Sequence, residues 1–98
     1  MAREVSLFVN DGPIALDYFI QGYIDRTLGG ILAALEGTEE IKTLDVTIEG
    51  DKVAINLNNA PIPINPFVCK IIKSTIAGMV SPLKGVGEIA KIKIDIKR

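Results

Sequence analysis

Four stretches of the chain alternate apolar and polar residues with a period of two. Val5, Leu7 and Val9 share one face of the first, and Val53, Ile55 and Leu57 share one face of another. Leu44, Val46 and Ile48 alternate with Thr43, Asp45 and Thr47, and Ile92, Ile94 and Ile96 alternate with Lys91, Lys93 and Asp95. That period predicts strands with an aliphatic inner face and a polar outer one. Two longer segments carry the three-to-four-residue spacing of helices. One runs through Phe19, Ile20, Tyr23, Ile24, Leu28, Ile31, Leu32 and Leu35; the other through Phe67, Val68, Ile71, Ile72, Ile76, Met79, Val80 and Leu83. On a helical wheel each set fills an arc of about 220°, wider than the stripe of roughly 100° or somewhat more that packing on a sheet needs.

Local signals set the boundaries. Asp17 and Asn65 are N-cap residues whose side-chain oxygens can accept a first-turn N–H, and Pro66 suits the first helical position. The helices therefore start at Tyr18 and Pro66. Gly37 and Gly85 are expected to end them, with Pro82 shortening or kinking the second in its last turn. Asn10-Asp11-Gly12 and Asn58-Asn59-Ala60 read as turns, and Glu49-Gly50-Asp51-Lys52 as a hairpin. After the first two turns come short extended pieces, Ile14-Ala15-Leu16 and Pro61-Ile62-Pro63-Ile64; the prolines confine the latter to an edge or a loop.

The whole pattern occurs twice. Shifted by 48 positions, Val5 meets Val53, Asn10 meets Asn58, Pro13-Ile14 meets Pro61-Ile62, Phe19 meets Phe67, Thr27 meets Thr75, Gly30 meets Gly78 and Ile48 meets Ile96, without a gap. This register predicts one domain, 1–98, built from two pseudo-symmetric repeats, 1–48 and 49–98. Each repeat is too short to hold a core alone, so the two share one. The expected class is α+β: a duplicated β(β)αβ unit giving a ferredoxin-like βαββαβ open-faced sandwich. In it two helices lie on one face of a mainly antiparallel sheet. The likeness is one of topology.

Charge adds an asymmetry. The net charge of −1 divides into −5 for residues 1–48, where Arg3, Arg26 and Lys42 face eight acidic residues, and +4 for residues 49–98, with eight basic and four acidic. Such a division bears on partners and surface field, not on fold. Composition excludes several classes. No histidine is present, which removes the commonest acid–base catalyst and nitrogen metal ligand. One cysteine, Cys69, rules out an internal disulfide and any Cys cluster. Gly85-Val86-Gly87 lies after a helix and before a strand, the wrong context for cradling phosphate. No cofactor, metal or catalytic residue is expected. The longest uncharged stretch, Val53 to Cys69, holds four Asn and three Pro, so no membrane span is expected. The opening residues lack a signal-peptide pattern, which makes cytoplasmic the expected location.

The candidate residues lie on the helices. Gly30 and Gly78, near the arc's edge, are expected to let the helices approach closely. Thr27 and Thr75 read either as paired hydroxyls in a pocket or as residues bonded to the carbonyls of Tyr23 and Ile71. Asn10 and Asn58 read as turn residues rather than a ligand mouth, and Glu40 and Glu88 as solvated charges. The helices differ where Tyr18, Gln21, Asp25 and Arg26 are matched by Pro66, Cys69, Lys73 and Ser74. Arg26 is the candidate for an anion contact. Tyr18, Tyr23, Arg26, Thr27, Thr75, Gly30 and Gly78 together form the expected ligand or interface set. The basic strand face of Lys91, Lys93, Lys97 and Arg98, with Lys70, Lys73 and Lys84 on the second helix, suggests nucleic acid, but Phe8 alone supplies an aromatic there and the acidic half opposes a phosphate chain. The expected function is a non-catalytic interaction module that pairs with itself, a dimer above other oligomers, or with another protein. The alternative is a small-ligand-binding regulatory domain.

Overall fold

The computed structural model describes residues 4–36 and 41–98. Along the chain run β1 (Glu4–Val9), β2 (Gly12–Ile14), α1 (Tyr18–Glu36), β3 (Thr43–Glu49), β4 (Lys52–Leu57), β5 (Ala60–Pro61), α2 (Pro66–Val80) and β6 (Lys91–Lys97). The fold is α+β, with two helices and one open, antiparallel sheet of six strands in the order β2-β1-β6-β3-β4-β5. The short proline-bearing strands β2 and β5 form the two edges, where a missing N–H costs the ladder least. In a ferredoxin-like sheet the first strand of each βαβ unit sits near the centre; here the last strands, β3 and β6, do.

Reading the sheet from either edge gives the same sequence of counterparts. Val5 pairs with Ile96, and 48 residues on Val53 pairs with Ile48. At the centre Val46 pairs with Ile94, each being the other's counterpart. The inner face carries Val5, Leu7, Val9, Leu44, Val46, Ile48, Ile55, Leu57, Ile92, Ile94 and Ile96, all buried in one core with Ile24, Leu28 and Leu32 of α1 and Ile72, Ile76 and Val80 of α2. Each such side chain contributes about 1.5–3 kcal/mol relative to exposure.

The asparagines do more than turn the chain. Asn10 and Asn58 both have φ of 52°, followed by Asp11 and Asn59 at 66° and 68°, as a two-residue hairpin of type I′ requires. The Asn10 side chain then reaches across 80 residues. Its Oδ1 accepts from the N–H groups of Ala90 (2.8 Å) and Lys91 (2.9 Å), and its Nδ2 donates to the Glu88 carbonyl (2.6 Å). The Asn58 Oδ1 accepts likewise from Lys42 (2.8 Å) and Thr43 (3.1 Å). Each asparagine thus fixes the entry of a central strand.

Both helices start where their caps dictate. The Asp17 and Asn65 carboxylate and amide oxygens accept from the Ile20 and Val68 N–H groups, each at 2.8 Å. The far end of α2 is set by Pro82, the shortening expected of that proline, and not by Gly85. α2 stops at Val80, five residues before Gly85, because Pro82 has no N–H with which to continue the ladder. The Ser81 N–H makes the last such bond, to Ala77, and Gly85 uses its φ of +91° in the loop beyond. Gly37 and Glu40 lie outside the described residues. Gly30 and Gly78 do not serve a close helix approach: both are exposed, and a Cβ at either would meet no heavy atom within 4 Å.

Candidate interaction surfaces

The wide apolar arcs separate into a buried part and an exposed part. With Ile24, Leu28 and Leu32 directed into the core, Phe19, Tyr23 and Gly30 fall within about 40° of one another on the outer flank of α1. Phe19 is 71% exposed and stacks on Tyr23, ring centroids 6.1 Å apart and planes 10° from parallel. In α2 the same flank carries Phe67, also 71% exposed, Ile71 and Gly78. Tyr18 stands out at the start of α1, 85% exposed. Among the described residues, every exposed large hydrophobic side chain belongs to a helix. Of the residues singled out from sequence, Tyr23 and Gly30 share this flank and Arg26 lies exposed beside it. Thr27 is half-buried, Thr75 exposed.

The opposite flanks of the helices are built differently from each other. In α1, Asp25 is the buried charged residue of the core's rim, and its Oδ1 accepts from Arg98 Nε (3.0 Å) and Nη2 (2.8 Å). The same guanidinium lies 3.4 Å from where a Cβ on Gly29 would be. In α2 the counterpart of Asp25 is Lys73, whose Nζ lies 3.0 Å from the Asp51 carboxylate, itself fully exposed. Beside it opens a cavity of about 650 Å³ lined by Ile64, Pro66, Cys69, Lys70, Lys73 and Ala77, with Asp51 and Ser74.

The outer face of the sheet holds a second arrangement. Asp45 and Asp95 sit directly opposite across β3 and β6. They occupy a shallow depression of about 530 Å³ with Ser6, Phe8, Thr47, Asn56 and Lys93. Burial, then the hydrogen bond and charge of Asp45, push the Asp95 carboxyl above its ordinary value, while Lys93 and Lys97 pull the other way. Alternation places both aspartates on the outer face, but only the pairing register makes them neighbours.

No three-residue group of Cys, Asp and Glu among the described residues could hold a metal ion. No helix there is long and apolar enough to cross a membrane. No family model, curated protein or solved structure matches this chain.

Proposed function

We propose that this protein is a non-catalytic assembly module that pairs with a second copy of itself through the outer flanks of its two helices. The observation that carries the reading is the exposed apolar row on that layer: the Phe19–Tyr23 stack with Tyr18 on α1, and Phe67 with Ile71 on α2. Large aromatic side chains left in water on one face are what a stable interface buries first. A two-fold pairing uses the same patch on both copies, which suits a row repeated on two helices. The opposite net charges of the two halves support an arrangement in which the acidic half of one copy faces the basic half of the other. The halves themselves are then two copies of one β(β)αβ unit, fused so that the last strand of each lies at the centre of the sheet. The identical pairing register 48 residues apart supports that descent.

Sedimentation equilibrium from micromolar to millimolar protein tests the reading. A concentration-dependent dimer is expected, and Phe19→Ser combined with Phe67→Ser should move it to monomer while the circular dichroism spectrum is retained. A monomer at every concentration, or a dimer indifferent to both substitutions, defeats it.

A further inference from the structure

We infer that the cavity beside α2 binds a small organic monocarboxylate with an apolar tail. The argument starts from what fills the equivalent place in the other half. There the Arg98 guanidinium lies against Gly29 and bonds the buried Asp25. Moved by 48 residues, each participant changes. Arg98 becomes Gly50, which has no side chain to reach the helix. Asp25 becomes Lys73, and Gly29 becomes Ala77. The backbone pairing is the same in both halves, so the space remains, and it is the 650 Å³ cavity.

The reversal of polarity names the occupant. In the first half a carboxylate on the helix holds a cation that arrives on an apolar stem. In the second half the helix lines the opening with lysines, Lys73 and the neighbouring Lys70, and at the position of Arg98 stands Gly50. Asp51 meets Lys73 only at the rim, where its carboxylate is fully solvated, so this pair is weak and can exchange for a ligand carboxylate. Ile64, Pro66, Cys69 and Ala77 provide the apolar wall for the tail. A free carboxylic acid fits this description. Cys69, Lys73 and Ala77 of the cavity wall lie on the side of α2 turned away from Phe67 and Ile71, and amide shifts at those positions distinguish ligand binding from self-association.

The test is a titration of the isotopically labelled full chain with octanoate, octanamide and octylamine, read by amide chemical shifts. Octanoate should shift the amides of Ile64, Cys69, Lys73 and Ala77 saturably, with a dissociation constant on the order of millimolar. Lys70→Gln with Lys73→Gln should weaken it at least about fivefold, and Ala77→Leu, which fills the cavity, at least about tenfold. Melting temperature without ligand should be unchanged in both variants. Equal binding of octanamide or octylamine overturns the charge assignment, and shifts centred on Phe19 and Phe67 overturn the site. Absence of saturable shifts overturns the proposal outright.

Discussion

The flanks of α1 and α2 that face away from the aromatic row share one backbone plan and do opposite things with it. Beside α1, Asp25 is buried and held by two charge-assisted hydrogen bonds from Arg98. Beside α2, Lys73 meets Asp51 at the surface and the flank is open. The helix charge is reversed between halves, Asp25 against Lys73, and the contacts that each makes differ in energetic weight. A partly buried carboxylate bound by guanidinium loses much when its partner leaves. An exposed lysine–aspartate pair is worth little. Matching pairing registers therefore do not imply matching roles: one unit spends the position on stability, and its counterpart leaves it free for a ligand.

The largest effects should fall where the halves agree. Ile24→Ala and Ile72→Ala remove counterpart side chains that are 0% and 1% exposed. Each should cost about 2–5 kcal/mol in urea unfolding, and the two should cost the same to within about 1 kcal/mol. A much larger gap would mean that the core is not shared evenly. Next come the pairs that differ. Arg98→Ala removes two bonds to a buried carboxylate and should cost about 1.5–3 kcal/mol, whereas Asp51→Ala should stay within about 0.5 kcal/mol. Comparable losses at both sites would break the contrast drawn between the flanks.

The asparagine latches sharpen the comparison further. Asn10→Ala and Asn58→Ala each remove the bonds that hold the start of a central strand and put alanine at φ of 52°. Each should cost about 1–3 kcal/mol, and amide hydrogen exchange should quicken at Lys91 in the first variant and at Thr43 in the second. Exchange that quickens elsewhere, or nowhere, argues against the latch.

The smallest effect concerns the sheet's outer face, where the two-fold breaks: the counterpart of Asp45 is Lys93 and that of Asp95 is Thr47. The Asp95 carboxyl is raised in the folded state. Its protonation therefore favours folding, and that contribution is present below the ordinary carboxylate range and is lost as pH rises through the folded value. Asp95→Asn should accordingly stabilise the protein by about 0.2–1 kcal/mol near neutral pH. The gain should vanish at about pH 3, where the native side chain is already protonated. A substitution that destabilises at neutral pH would show that Lys93 and Lys97 outweigh Asp45.

Several of these features were legible in the chain before any coordinates. Alternation assigned the inward-facing residues of β1, β3, β4 and β6, because the side-chain period of a strand leaves no other choice once one face is apolar. Helix starts were legible because an N-cap acts within three residues, as Asp17 and Asn65 do. At the end of α2 two local signals compete, and the shortening expected of Pro82 takes effect before Gly85 can act. The width of the apolar arcs was plain, but not that Phe19 and Phe67 would lie in water while Ile24 and Ile72 lay in the core. Nor did the pattern suggest that Gly30 and Gly78 face open space.

What the chain by itself determined is the set of elements, their inner faces and the 48-residue correspondence between its halves, since propensity, capping and hydrophobic period act over a few residues. What only the tertiary structure decided is which distant groups meet. Arg98 reaches Asp25 across 73 residues, Asn10 reaches Lys91 across 81, and Asp45 faces Asp95. Those meetings depend on strand order and register, with β3 and β6 brought to the centre of the sheet. The shared burial of both halves sets that order, and no short window of sequence contains it.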